Sequence, residues 1–205
     1  MNNKGQLTVI SGFSGSGKGT VVSKLVEKYG YALSVSATTR APRTGEQEGV
    51  HYFYKTVDEF KHLIDNNGLL EWAQYVDNYY GTPRDYVENM LNEGKDVILE
   101  IEMQGGLQVR DNVEDSLLIF MAPPSAAELK ARLTGRGTED TDTINKRLKR
   151  ASEEIQYIDS YDYLVINDDL DECVDNIHSI IQNGKKRIIH NPVLVNTIKN
   201  DYLNI

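Results

Sequence analysis

The run Gly12-Phe13-Ser14-Gly15-Ser16-Gly17-Lys18-Gly19-Thr20 follows directly on the apolar stretch Leu7-Thr8-Val9-Ile10, and this juxtaposition constrains the chain more than any other feature. A buried strand that feeds a glycine-rich turn and then a helix builds a phosphate cradle. Successive backbone N–H groups point into the turn, and the positive end of the helix dipole faces the same spot. Glycine lets the backbone curl around an anion without Cβ clashes, and Lys18 adds a mobile positive charge that reaches outer phosphates. Val21, Val22, Leu25 and Val26 then recur at helical spacing, the context such a loop requires. One position departs from the phosphate-loop pattern. Gly19 stands where Ser or Thr would serve magnesium, and the hydroxyl comes one residue later at Thr20. The arrangement implies binding of a nucleoside triphosphate.

Bulk properties narrow the class. With 205 residues the chain can bury a full core as one domain. Its net charge of −9 argues against broad nucleic-acid binding or attraction to anionic membranes. The single cysteine, Cys173, leaves no internal disulfide and fits a reducing cytosol. His51, His62, His178 and His190 are scattered without metal-ligand spacing. No apolar run approaches the ~20 residues of a membrane span, and the first residues lead into no signal-peptide core. The expectation is a cytoplasmic protein with neither nucleic-acid nor membrane partners and an oligomeric state left open.

Helical and strand patterns alternate along the chain, which favours an α/β architecture with a mostly parallel sheet. Strands are predicted over 7–10, 31–35, 69–76, near Tyr79-Tyr80, and over 97–101, 117–121 and 163–166. Helices are predicted over 18–29, from the capping box Thr56-Val57-Asp58-Glu59 to about 66–68, and from Pro83 to Gly94. Others run from the capping box Ser125-Ala126-Ala127-Glu128 to Leu133, over 143–158, and over 169–181. Two insertions interrupt the layers, at about 36–83 and at the polar segment 135–142. Such segments commonly form binding arms and lids over a rigid core. A docked helix and a frayed end are equally compatible with 184–205.

Ser34-Val35-Ser36-Ala37-Thr38-Thr39-Arg40-Ala41-Pro42-Arg43-Thr44-Gly45-Glu46 resembles the guanylate kinase signature. So do Glu71-Trp72-Ala73, Asn78-Tyr79-Tyr80-Gly81-Thr82, Met103-Gln104-Gly105, Arg132-Leu133-Thr134-Gly135-Arg136-Gly137 and Asn167-Asp168-Asp169. Each piece is weak alone, but they occur in the family's order and spacing from about Leu7 to Ile181. The resemblance implies a P-loop nucleoside monophosphate kinase fold. It has a parallel-sheet core (about 5–35, 84–134 and 159–183), a GMP-binding arm (about 36–83), a lid (about 135–158) and a tail (184–205). The implied reaction passes the γ-phosphoryl of ATP to GMP, with dGMP also acceptable, and uses Mg2+.

By the same resemblance, ATP lies on Gly12–Thr20, with Asn167 near its adenine. Arg40 and Arg43 grip the GMP phosphate, because planar guanidinium forks suit a dianion, helped by the hydroxyls of Tyr52 and Tyr80. Glu71 reads guanine, whose N1–H and 2-amino group stand side by side where adenine offers no donor; Ser36 and Thr82 flank the base edge. Lys18, Arg132, Arg136 and Arg147 are implied to neutralise charge on the transferred group. Arg147 lies in Lys146-Arg147-Leu148-Lys149-Arg150, of which Lys149 and Arg150 are expected to be solvated helix face. Glu100 and Glu102 stand where the family usually has aspartates. They are assigned to magnesium through water, together with Thr20, and to the acceptor base, respectively. Two competing readings are a ribosyl phosphate kinase and an inactive phosphopeptide-binding module. The base-reading Glu71 argues against the first, and the retained Lys18 and lid arginines against the second.

Overall fold

The computed structural model describes residues 4–135 and 140–204. Its elements are β1 (Leu7–Gly12), α1 (Lys18–Tyr29), β2 (Ala32–Leu33), β3 (Ala37–Thr38), β4 (Phe53–Tyr54), α2 (Val57–Asp65), β5 (Leu69–Tyr75), β6 (Asn78–Pro83), α3 (Arg84–Asn92), β7 (Val97–Glu100), α4 (Met103–Asn112), β8 (Leu117–Ala122), α5 (Ala126–Gly135), α6 (Thr141–Glu154), β9 (Tyr163–Ile166), α7 (Leu170–Gly184) and α8 (Pro192–Leu203). One five-stranded sheet has the order β2-β7-β1-β8-β9, and all its pairings are parallel. Strand β1 lies at its centre. Parallel strands joined by crossover helices are covered on both faces, so they read as continuous apolar runs rather than alternating ones.

The two faces bury separate clusters. On one, Val21, Val22 and Leu25 of α1 and Val174, Ile177 and Ile181 of α7 pack on Ile10, Ile98 and Ile119. On the other, Val87 and Leu91 of α3 and Val109 of α4 pack on Val9, Leu99 and Leu118. A third cluster joins Phe13 and Phe120 to Leu129 and Leu133 of α5 and Ile144 of α6.

A second, four-stranded sheet has the order β4-β3-β6-β5. Its own small core is Ala37, Phe60 and Leu69, with Phe60 of α2 stacked on Tyr79 at 5.5 Å. Helix α2 begins at the full capping box Thr56/Glu59. The two sheets meet where β5 lies on α4. Gln108 donates to the Trp72 carbonyl and accepts from its N–H, at 3.0 and 3.1 Å, and Asn112 Nδ2 donates to the Leu70 carbonyl at 2.9 Å.

Several sequence expectations need correction. The strand predicted over 31–35 is only Ala32–Leu33, because the chain leaves the first sheet there and enters the second at Ala37. Pro83 ends β6 and caps α3 rather than standing in its first turn. At Ser125 only half a capping box forms: its hydroxyl accepts from the Glu128 N–H, while the Glu128 carboxylate turns to Arg132. The helix predicted over 143–158 starts earlier, at Thr141 after an Asp140 cap, and gives way to a 3-10 segment at Ile155–Ser160. The tail forms a helix, α8, that buries none of its residues. Helix α4 was not anticipated, because Gly105 and Gly106 weaken its helical signal. Close approach explains them: a Cβ at Gly106 would lie 2.6 Å from the Tyr161 hydroxyl.

Phe60 is fully buried in a cluster with few other members. Phe60→Ala should lower stability by about 3–5 kcal/mol, checked by denaturant unfolding. An unchanged midpoint would show that the second sheet does not depend on this core.

Candidate active site

The loop after β1 curls through left-handed backbone at Gly15 (φ 96°) and Gly17 (φ 93°), conformations that favour glycine. The Ser16 N–H donates to the Phe13 carbonyl at 3.0 Å, closing the turn. Helix α1 starts at Lys18, and no side chain caps its first turn, so its leading N–H groups are available to an anion. Lys18 Nζ donates to the carbonyls of Gly12 (2.6 Å) and Phe13 (3.3 Å). Burial lowers its pKa, opposed by attraction to Glu100, Glu154 and Glu102. Asn167 is buried beside the loop, and its Nδ2 donates to the Ser16 carbonyl at 2.8 Å. Its amide therefore braces the loop in this structure. Ser14 and Thr20 are exposed at the loop and the start of α1.

The second sheet supplies the opposite wall. A cavity of about 150 Å³ lies between the sheets, lined by Ser34, Ser36, Tyr52, Thr82 and Glu100 among others. The Ser34 hydroxyl is buried with no hydrogen-bond partner in the protein. Behind Thr82, in register across β5 and β6, sits Glu71, only 7% exposed. The Thr82 hydroxyl donates to Glu71 Oε1 at 2.6 Å. Burial raises the Glu71 pKa, the Thr82 hydrogen bonds oppose the rise, and Glu102 adds to it. A Cβ at Gly105 would stand 2.8 Å from Glu71 Oε2, so this first α4 glycine is what lets the carboxylate lie against the helix.

Arg40 is held on three sides. Its Nη2 donates to both oxygens of Glu46 at 2.9 Å, its Nη1 to the Ala41 carbonyl at 2.7 Å, and its guanidinium lies 5.4 Å from the Tyr52 ring centre. Tyr80 packs edge-on to Tyr52 at 6.2 Å. Arg43 is exposed in the same loop, with its N–H donating to Glu46. Arg40, Tyr52 and Tyr80 are thus brought together. Glu46 and Tyr54 were not singled out from the sequence, although a carboxylate three residues beyond Arg43 was a readable signal.

On the other side, Arg132 Nε pairs with Glu128 at 2.8 Å, and its Nη1 reaches the Ser16 carbonyl at 3.5 Å. Arg147 is half-buried on α6. Arg136 lies outside the described residues. Arg150, expected as solvated surface, is exposed, and there it pairs with Glu102 at 2.6 Å and with Glu154 at 2.9 Å. Glu154 sits one helical turn further along α6, and Glu102 caps α4 opposite. Glu102 therefore faces α6 in this structure. Glu100 stands where β7 ends, and a Cβ at Gly19 would lie 3.6 Å from its Oε1. Desolvation raises the Glu100 pKa, and Lys18 opposes this.

Among the described residues no group of three or more His, Cys, Asp or Glu could hold a metal. The Thr20 hydroxyl and the Glu100 carboxylate are hard oxygen donors beside the loop. They fit a magnesium ion that keeps most of its shell as water and phosphate oxygen.

Comparison with known proteins agrees with this geometry. A family model described as guanylate kinase matches residues 4–184. The guanylate kinase of Bacillus subtilis is 53% identical over 183 residues, covering 88% of this chain and 90% of its own. That of Caldanaerobacter subterraneus is 46% identical and covers 98% of both chains. A crystal structure of guanylate kinase from Anaplasma phagocytophilum superposes with a TM-score of 0.70 at 34% identity, covering 91% of this chain and 89% of that one.

Thr82→Val should cost about 1–3 kcal/mol at neutral pH, because the buried Glu71 carboxylate loses its donor. A carboxyl with a raised folded pKa binds its proton more tightly folded than unfolded, so its burial penalty is relieved as pH falls through that pKa. The cost of Thr82→Val should shrink with it. Unfolding at neutral and acidic pH checks this, and a pH-independent cost would contradict the assignment.

Proposed function

The chain belongs to the guanylate kinase family, and we propose that it transfers the γ-phosphoryl of ATP to GMP, giving ADP and GDP. The observation that carries the acceptor is Glu71. It is a buried carboxylate hydrogen-bonded to Thr82, and Thr82 lines a cavity whose other side is the core sheet. An ionised carboxylate accepts from guanine N1–H and the 2-amino group together, while adenine leaves it without a donor, which penalises the wrong base heavily. The site reads base and phosphate, so dGMP is accepted as well.

In this reading the segment 36–83 acts as the acceptor arm and 135–158 as the lid. Arg40 and Arg43, with Tyr52 and Tyr80, hold the GMP phosphate; Ser36, Thr82 and Glu102 complete the base side. The loop from Gly12 to Thr20 holds the ATP phosphates. Lys18 exchanges the Gly12 and Phe13 carbonyls for phosphate oxygens, which are the stronger acceptors. An acceptor-phosphate oxygen forms its bond to the γ-phosphorus as the bond to the bridging oxygen of ADP breaks. The nucleophile is already anionic, so no side chain need remove a proton. Lys18, Arg132, Arg136 and Arg147 offset charge spreading over the transferred group. Asn167 contributes by holding the loop and the adenine side. Thr20 and Glu100 would hold magnesium through water, and bound magnesium would screen the phosphate charges.

No described helix is long and apolar enough to cross a membrane. A cytoplasmic setting accords with this reading and with the one free, buried cysteine.

Coupled ADP production with ATP, magnesium and a panel of acceptors tests the proposal. Turnover should appear with GMP and dGMP, fail with AMP, CMP, UMP and ribose phosphates, and be lost in Glu71→Ala. Lys18→Ala should abolish transfer while GMP binding survives. Turnover with AMP at a rate comparable to GMP would overturn the acceptor assignment.

A further inference from the structure

Glu46 has no role in the chemistry described above, yet it is the most heavily bonded side chain of the acceptor loop. Its Oε1 accepts from Arg40 Nη2. Its Oε2 accepts from the same nitrogen, from the Arg43 N–H at 2.8 Å and from the Tyr54 hydroxyl at 2.9 Å. The Arg40 and Glu46 side chains are only 16% and 18% exposed. The Glu46 N–H donates back to the Arg43 carbonyl at 3.0 Å, so the turn 43–46 closes on the same carboxylate that holds Arg40. These bonds keep the Glu46 carboxyl at about 2, with the Arg40 contact as the largest cause. The Glu46 carboxylate is therefore ionised at neutral pH.

A carboxylate beside a phosphate-gripping arginine could be a stand-in that the phosphate displaces. The bonding argues otherwise. Leaving would release the part-buried Tyr54 hydroxyl and guanidinium together, and each unmet donor there has a cost; the turn at Arg43 would lose its side-chain tie as well. Glu46 also engages Arg40 through Nη2 alone and the Ala41 carbonyl takes Nη1, while the guanidinium lies 5.4 Å from the Tyr52 ring centre. We propose that Glu46 is a positioning residue. It fixes the guanidinium of Arg40 from behind and the backbone of Arg43 in the turn, so that both arginines are set for a monophosphate before it arrives. Preorganisation of this kind removes an ordering cost from binding. The inference rests on the GMP assignment and deepens it.

The consequence is specific to phosphate. Affinity should be lost only for ligands that carry the group Arg40 and Arg43 grip. The experiment measures binding of GMP and of guanosine to the full chain by calorimetry, in wild type, Glu46→Gln and Glu46→Ala, with GMP and ATP KM values alongside. Glu46→Ala should weaken GMP by about 10–100-fold, the range expected from hydrogen bonds to charged groups. Guanosine affinity and the ATP KM should hold within about twofold. Glu46→Gln keeps the shape and should fall between wild type and Glu46→Ala. It also serves as the decisive variant if Glu46→Ala does not fold. Undiminished GMP affinity in both variants, with the wild type binding GMP, overturns this inference alone. Equal losses for GMP and guanosine make Glu46 a general support of the loop and overturn it too. Wild-type protein that does not bind GMP overturns the acceptor assignment and this inference together.

Discussion

Much of this site's geometry depends on the seam between β5 and α4. Two amide side chains on one face of the helix, Gln108 and Asn112, hold the β5 backbone at Trp72 and Leu70, on either side of Glu71. The helix can lie this close because its first turn carries Gly105 where a Cβ would meet the Glu71 carboxylate. Helix α4 also packs Val109 into the core beneath the parallel sheet. A single helix therefore ties the buried carboxylate of one sheet to the frame that holds the phosphate loop of the other.

The two halves handle negative charge in different ways. In the proposed reading the loop after β1 meets phosphate with backbone N–H groups and a helix terminus that the fold already holds in place. The acceptor side relies on side chains, which lose rotamer freedom when ordered, and it therefore needs bracing. Arg40 sits between a carboxylate, a carbonyl and an aromatic ring. Glu71, by contrast, is buried and desolvated, so its pKa rises. A carboxylate held out of water in this way has much to gain from two well-placed donors.

Much of this was legible in the sequence because it depends on local pattern. Strand β1, the glycine loop and α1 form one continuous signal, and the Thr56/Glu59 cap marks α2 directly. The shortest strands, Ala37–Thr38 and Phe53–Tyr54, are too short to show a period of two. Helix α4 was hidden because Gly105 and Gly106 serve packing rather than propensity. Arg150 is exposed as its helix pattern implies, but its surface pair with Glu102, 48 residues away, is one that no periodicity reveals. The family resemblance pointed to Arg40 and Glu71, but their bonding to Glu46 and Thr82 is a matter of tertiary geometry.

On the proposed reading the buried Glu71 carboxylate accepts from the guanine edge, so removing a donor from the ligand and an acceptor from the protein tests it directly. Equilibrium binding of GMP and of IMP, which lacks the 2-amino group, would be compared in wild type and Glu71→Gln. Wild type should prefer GMP by about 10–100-fold, as for a hydrogen bond to a charged group, and the preference should largely collapse in Glu71→Gln. An equal preference for GMP in both proteins would contradict it and place base recognition elsewhere.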